Sequence, residues 1–281
     1  MPQVATAIVE RGEPVGGDAL QTDAPWWSFG KTVIAAAALA LVEQGRLNLD
    51  APLAGEAFTL RQLLQHRAGL RDYGELADYH AAVARADPPW SPAEFLARVG
   101  ALPGRPPGTT WAYSNIGYYW VALEIERGFG GSLAAALEAL VIGPLDIPGV
   151  RLVTGPQVPM HPGYDGGWVL HGLLAGPISS AALLLDRLLA GRLLRPPRLA
   201  EMLEGHPLPQ FSRGAFVAPA YGLGLMMPGT SAGQVMRGHT GGGPGSTIAV
   251  YRLGERTVAA FAQTEDQTVV ETAAYELASG A

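Results

Sequence analysis

Residues 33–40 constrain the fold of this chain more than any other segment. They read Val-Ile-Ala-Ala-Ala-Ala-Leu-Ala and belong to a stretch without glycine or proline that ends before Gly45. A helix formed by such a run is apolar on every side, and helices of that kind are buried all round. Ser28 is a good residue for a helix start and Gly45 for a helix end. We therefore predict a central helix over residues 28–43, enclosed by the rest of the protein.

The two ends of the chain show strand patterns, and the middle is mostly helical in pattern. A run rich in β-branched residues predicts a strand at residues 5–10, and short strand-like runs predict further strands at residues 222–227, 233–239, 246–251 and 257–264. Helices are predicted at residues 60–66, 92–99, 116–127, 133–140, 183–194, 199–204 and 269–278. This order favours an α+β fold in which an antiparallel sheet, built from both termini, is flanked by helices. Residues 1–60 and 217–281 would form the sheet region and residues 61–216 an inserted helical region, together one compact unit.

Composition excludes several classes of function. The 281 residues carry a formal charge of −6, whereas binding to nucleic-acid phosphates needs a basic face. The absence of cysteine removes a thiol nucleophile and a cysteine-ligated zinc. The first ten residues lack the pattern of a signal peptide, and the most apolar stretch, residues 33–42, is too short to cross a bilayer. We expect a cytoplasmic protein that acts on a small molecule, without nucleic acid, membrane span or cofactor.

Lys31 is the only lysine among 19 basic residues. Arginine stays protonated in proteins, whereas a desolvated lysine can become a neutral amine, so a lone lysine suggests a position where a proton moves. Ser28 precedes Lys31 by three residues, a spacing that puts both side chains on one helix face. A serine at a helix N-terminus beside a neutral lysine is a candidate nucleophile. The alternative is a capping serine beside a solvent-facing lysine, which fits poorly with a buried helix.

A second candidate group is Tyr113-Ser114-Asn115, which follows a Pro/Gly-rich loop and precedes a predicted helix. A tyrosine beside a lysine cation is expected to have a lowered pKa and to exchange a proton with the serine. The amide of Asn115 can accept from Lys31 and donate to a substrate carbonyl. Taken alone, the triplet is more typical of a helix N-cap next to a core tyrosine.

The third group, residues 239–245, reads His-Thr-Gly-Gly-Gly-Pro-Gly between two predicted strands. Glycines beside a strand indicate close approach of another backbone or of a ligand, although a flexible hairpin connection gives the same pattern. The segment lacks the spacing and the lysine of a P-loop.

These three motifs, in this order, resemble those of the penicillin-recognising serine hydrolase superfamily, in particular the branch of class C β-lactamases, D,D-peptidases and family VIII esterases. The likeness continues through residues 47–53, 60–70 and 221–224 and covers nearly the whole chain. It implies that Ser28 is the nucleophile and that Lys31 and Tyr113 handle the protons. It further implies that the N–H groups of Ser28 and Gly242 form the oxyanion hole. Substrate would be bound by the residues Asn115, His239, Thr240 and Gly241.

The third motif begins with His239, where β-lactamases typically have lysine. A mostly neutral imidazole is a poor anchor for a penicillin carboxylate, so efficient lactamase activity is not expected. The other histidines, His66, His80, His161, His171 and His206, show no ligand spacing, and we predict no metal and no catalytic role for them. The resemblance implies hydrolysis through an acyl-enzyme, on small esters, D-amino-acid amides or β-lactams. The alternatives are a transacylase of the same chemistry and a penicillin-binding sensor domain that is acylated without turnover.

Overall fold

The computed structural model of the protein describes residues 2–213 and 216–280. The strands are β1 Val4–Glu10, β2 Glu13–Gly16, β3 Asp23–Pro25, β4 Arg151–Val153, β5 Leu173–Pro177, β6 His206–Pro207, β7 Val217–Tyr221, β8 Met226–Gly229, β9 Arg237–Gly243, β10 Ser246–Leu253 and β11 Arg256–Ala262. The helices are α1 Gly30–Glu43, α2 Leu60–Leu64, α3 Ala77–Ala84, α4 Pro92–Gly100, α5 Asn115–Phe129, α6 Leu133–Leu137, α7 Ile178–Leu189, α8 Pro196–Met202 and α9 Gln267–Ser279.

Eight strands form one large antiparallel sheet in the order β2-β1-β11-β10-β9-β8-β7-β6. Strand β1 from the N-terminus pairs along its full length with β11 from the C-terminus, from Val4 opposite Ala262 to Glu10 opposite Arg256. The prediction of an α+β fold with a sheet built from both termini is therefore confirmed. The division into two regions stays a prediction, and its bounds include residues 1, 214, 215 and 281, which lie outside the described part of the chain.

Both faces of the large sheet are covered because its central strands are apolar on both sides. On β10, Ile248 and Val250 face the larger core, to which α7 contributes, whereas Ala249 and Tyr251 face a smaller core formed with α9. This alternation follows from the period of two along a strand. The C-terminal helix was predicted at residues 269–278 and begins two residues earlier, capped by the side chain of Asp266.

The predicted central helix is present and buried. A 3₁₀ turn, Trp27–Phe29, leads into α1, and the residues of α1 from Gly30 to Leu39 are all buried. The expected start at Ser28 thus lies one turn before the α-helix itself.

The middle of the chain is less purely helical than predicted. It contributes β4 and β5, which form a separate three-stranded sheet with β3 in the order β3-β5-β4, and it also supplies β6. The run Leu173-Leu174-Ala175 on β5 is buried, and a short apolar run of this kind cannot be distinguished from a buried helix by its periodicity. Helix α3 was not predicted.

Candidate active site

Ser28 lies in a strained turn that β9 and β10 hold in place. Its neighbour Trp27 has a φ of +41°, a conformation that costs a non-glycine residue about 1–3 kcal/mol. The indole Nε1 of Trp27 donates to Ser246 Oγ at 2.9 Å. A Cβ on Gly243 would come within 2.5 Å of the Trp27 ring, so the absence of a side chain there makes room for the indole. These contacts fix the backbone that carries the Ser28 hydroxyl.

The last part of β9 lies against this turn. The β8–β9 pairing is at Met226 and Gly238, and β9 continues beyond it to Gly243. A Cβ on Gly241 would lie 2.6 Å from the Ser28 nitrogen and 2.8 Å from the Trp27 Cβ. The glycines of the third motif therefore allow the close backbone approach that the sequence suggested, with the turn of Ser28 as the neighbour.

Gly241→Ala is consequently expected to displace Ser28. Because a real Cβ does not come this close to backbone, the turn must shift, and a shift of about 1 Å at a reacting atom can lower a rate by about 10²-fold. Gly30→Ala is the matched control, since its Cβ would make an ordinary contact of 3.9 Å with Leu174. Turnover of an ester substrate and thermal unfolding should be measured for both variants. Wild-type turnover in Gly241→Ala would contradict the expected displacement.

Lys31 is fully buried in the first turn of α1 and surrounded by polar partners. Its Nζ lies 3.3 Å from Ser28 Oγ, 2.6 Å from Asn115 Oδ1 and 3.0 Å from His171 Nε2. Burial lowers the pKa of Lys31 to about 7, against the opposing charge of Asp72, which raises it. The amine is therefore neutral in a substantial fraction of molecules at neutral pH, as a general base requires.

The Tyr113 hydroxyl donates to Ser28 Oγ at 2.7 Å, so tyrosine and lysine both contact the serine. The expectation of a lowered tyrosine pKa was wrong: burial raises the pKa of Tyr113 well above its usual range. The phenolate would be poorly solvated there, and a lysine with a pKa near 7 is not a permanent cation beside it. Tyr113 is thus a neutral phenol that donates its proton toward Ser28.

Asn115 is held in one orientation by Asp72, a residue that the sequence analysis did not single out. Its backbone N–H donates to Asp72 Oδ1 at 2.8 Å and its side-chain Nδ2 donates to Asp72 Oδ2 at 2.9 Å. The side-chain oxygen of Asn115 is therefore the atom that faces Lys31, as predicted. One of its two amide hydrogens is committed to Asp72, and the other stays free for a substrate carbonyl.

His239 does not reach the cavity surface, in contrast to its expected position against the substrate. Its side chain is fully buried, and burial together with the charge of Lys31 lowers its pKa to about 3. Its Nε2 lies 3.0 Å from the Tyr221 hydroxyl and its Nδ1 lies 2.6 Å from the Thr240 carbonyl. His66 contacts the other side of the same tyrosine hydroxyl at 3.2 Å. The imidazole of His239 is thus a neutral structural group behind Tyr221.

Ser28 lies between two cavities of different size. The larger, about 650 Å³, has a largely apolar and aromatic wall that includes Trp111 and Phe211. The smaller, about 100 Å³, is walled mainly by aromatic side chains and His171. Ser28, Asn115 and Gly242 line both. The Ser28 and Gly242 backbones therefore border the space a substrate carbonyl would occupy; their role as an oxyanion hole stays a prediction.

Among the described residues, one ion pair lines the larger cavity. Glu271 on α9 accepts from Arg213 Nη2 at 2.7 Å and from Thr240 Oγ1 at 2.8 Å. Thr240 lines this cavity, whereas Gly241 does not and acts instead through its contact with the Ser28 turn. Because the two charges pair, they present little net charge to a substrate.

His171 was expected to have no catalytic role, yet its Nε2 lies 3.0 Å from the Nζ of Lys31, the residue predicted to handle protons. Neither His171 nor Asp72 stands in a motif or at a fixed spacing from Lys31, so single-sequence reasoning had no signal for either. Among residues 2–213 and 216–280, no group of three or more His, Asp or Glu side chains is arranged to hold a metal ion. In the same part of the chain, no helix has the length and apolar character that crossing a bilayer would need.

The sheet from both termini, the buried helix and the Ser-x-x-Lys turn define a β-lactamase/transpeptidase-like fold. The family model described as Beta-lactamase matches residues 1–281, and the chain belongs to this family of serine hydrolases.

Solved structures of the same fold are similar over nearly the whole chain. A D-stereospecific amidohydrolase from Streptomyces sp. is 24% identical with a TM-score of 0.82, covering 97% of this chain and 93% of its own. The D-amino acid amidase from Ochrobactrum anthropi SV3 is 21% identical with a TM-score of 0.82, covering 98% and 94%. An octameric penicillin-binding protein homologue from Pyrococcus abyssi is 18% identical with a TM-score of 0.80, covering 99% and 73%.

Proposed function

We propose that this protein hydrolyses small esters and amides that carry no carboxylate, amides of D-amino acids among them, through an acyl-enzyme on Ser28. The observation that carries the proposal is the hydrogen-bonded series from the Tyr113 hydroxyl through Ser28 Oγ to Lys31 Nζ, at 2.7 and 3.3 Å. Burial of a lysine with a pKa near 7 gives this series a base at neutral pH.

In the proposed reaction, the neutral amine of Lys31 takes the Ser28 proton while Oγ attacks the substrate carbonyl carbon. The N–H groups of Ser28 and Gly242 stabilise the oxyanion. The bond to the leaving group then breaks, and the leaving group takes up the proton held by Lys31, with Tyr113 as the intermediate donor. Water attacks the acyl-enzyme by the same steps and restores the serine.

The charges in the larger cavity favour substrates without a carboxylate over β-lactams, which carry one. His239 is buried and neutral, and Arg213 is already paired with Glu271. The described part of the cavity wall therefore has no unpaired cation that could bind a substrate carboxylate. Amides of D-amino acids are proposed because one structure of the same fold is named a D-amino acid amidase and another a D-stereospecific amidohydrolase.

A substrate panel tests this function. It should contain p-nitrophenyl acetate, p-nitroanilides of D- and L-alanine, and nitrocefin, with product followed beyond one enzyme equivalent. We expect steady turnover of the ester and of the D-anilide, a D-over-L preference of tenfold or more, and slower nitrocefin hydrolysis. A burst equal to the enzyme concentration without further turnover would favour the sensor instead. Product diverted to an added amine would favour the transacylase.

A further inference from the structure

The Lys31 amine has more neighbours than its role as a base requires. A neutral amine has two N–H donors and one lone pair, and three groups surround Nζ. Asn115 presents its oxygen to Lys31, because its amide nitrogen donates to Asp72. One N–H of Lys31 is therefore committed to Asn115. The second N–H and the lone pair are divided between Ser28 Oγ and His171 Nε2.

The tautomer of His171 decides this division. If His171 Nε2 carries the proton, it donates to the lone pair of Lys31, and the amine has only an N–H left for Ser28. If the proton is on Nδ1, Nε2 accepts the second N–H of Lys31. The lone pair then points at Ser28 Oγ, the only direction in which the amine can remove the serine proton.

We propose that His171 is a positioning residue that, with its proton on Nδ1, accepts an N–H from Lys31 and so aims the amine's lone pair at Ser28. The inference rests on the proposed function, because it concerns the base of that reaction. The protonated lysine requires the same tautomer, since an ammonium group has three donors and no lone pair. Nε2 of His171 thus accepts a hydrogen bond from Lys31 throughout the reaction cycle. Lys31 gains and loses its proton on the side that faces Ser28.

The surroundings keep His171 neutral. Its side chain is 2% exposed, and burial, with the charge of Lys31, lowers its pKa well below the usual value. Its Nδ1 has no hydrogen-bond partner among the described residues. The ring of Tyr118 on α5 lies 6.2 Å away. The other titratable groups that act on Lys31 and His171 are Asp72, His66, Tyr113, Tyr118 and His239.

Two substitutions of His171 distinguish the contribution of its hydrogen-bond acceptor from that of its ring. His171→Phe keeps a planar ring of similar size but has no acceptor, whereas His171→Gln keeps a polar side chain whose oxygen can accept. With p-nitrophenyl acetate, we expect kcat of His171→Phe to fall by about 10–100-fold with KM little changed, a part of the roughly 10²–10⁴-fold that general-base assistance contributes. His171→Gln should recover most of that loss.

The pH profile supplies a readout that a structural role would not move. Losing an acceptor disfavours the ammonium form of Lys31, so the acid limb of kcat/KM should move to lower pH in His171→Phe, by about half a pH unit or more. His171→Gln should restore the limb toward its wild-type position. A folded His171→Phe protein with wild-type kcat and an unmoved limb would overturn the proposal.

A measurement on the wild-type protein covers the case in which His171→Phe does not fold. Nitrogen-15 NMR of histidine-labelled protein distinguishes protonated from unprotonated ring nitrogens. Comparison with His171→Gln identifies the signals of His171. We expect Nε2 of His171 to be unprotonated on both sides of pH 7, and a proton on Nε2 would overturn the proposal. This spectrum is independent of turnover, so failure of the proposed function would show separately, as absence of acylation at Ser28.

Discussion

Ser28→Ala is expected to lower kcat by at least about 10⁴-fold, because removal of a nucleophile that works together with its base abolishes most of the catalysis of the whole group. The hydroxyl lies within hydrogen-bonding distance of both Tyr113 and Lys31, and no other hydroxyl shares these two contacts in the described part of the chain. A fluorophosphonate should add one adduct to the wild-type protein, mapped to the peptide that contains Ser28. The variant should carry none.

Ser180→Ala is the matched control for this substitution. Ser180 is buried and its hydroxyl donates to the Pro148 carbonyl at 2.7 Å, but it lines neither cavity beside Ser28. The control should lose about 1 kcal/mol of stability, the worth of one hydrogen bond, and keep its activity. An adduct that persists in Ser28→Ala would assign the nucleophile to another residue.

Lys31→Met is expected to lower kcat/KM by about 10²–10⁴-fold and at the same time to stabilise the fold. The rate falls because general-base assistance is lost. The stability gain follows from the pKa of Lys31, which is lowered from about 10.5 in the unfolded chain to about 7 in the folded protein. The unfolded state therefore binds more protons between these values, and folding is penalised increasingly as the pH falls from 10.5 to 7.

At pH 7 that penalty is on the order of 4–5 kcal/mol, since one pKa unit corresponds to about 1.4 kcal/mol. Methionine removes it but leaves the acceptors on Asn115 and His171 without a donor, at about 1 kcal/mol or more each. We expect a net gain of about 1–3 kcal/mol in the free energy of unfolding at pH 7, measured by urea denaturation. Near pH 10.5 the gain should vanish. A Lys31→Met protein less stable than wild type at pH 7 would contradict the lowered pKa.

The same pKa sets the pH dependence of the wild-type enzyme. In the proposed reaction, acylation requires the neutral amine, so kcat/KM for a neutral ester should rise with pH through about 7 and then level off. Lys31→Arg keeps a charge that cannot be removed near neutral pH and should lack this rise. If a folded Lys31→Arg protein kept wild-type turnover, the lysine would have a structural role only.

The parts of the site that could be predicted are those that a local pattern encodes. Ser28 and Lys31 lie in one short segment, so helical spacing alone brings them together, and the apolar run that follows them predicts their burial. Asp72 and His171 reach the site from loops far away in the chain, and no periodicity links them to α1. Their places depend on how the loops pack, which is tertiary information.

Two of the corrected expectations, the pKa of Tyr113 and the position of His239, concern burial. The tyrosine pKa was expected from charge proximity alone, but desolvation is its largest cause. His239 was expected at the cavity because of its place in the third motif. On β9 it alternates with Thr240, so the two side chains point to opposite faces of the sheet. Thr240 is the one that faces the larger cavity, and the sequence does not say which face of the strand is open.

The unequal spaces on the two sides of Ser28 bear on the fate of an acyl group attached there. A water molecule takes up about 30 Å³ in the liquid, so the smaller space, about 100 Å³, accommodates a short acyl chain or a few waters. An incoming amine larger than this needs the larger space, about 650 Å³. With the acyl chain in the smaller space, departure of the leaving group frees the larger one. Water and an incoming amine would then compete for that space as acyl acceptors. A substitution that places a bulky side chain in the larger space would favour water over the amine, because water is smaller.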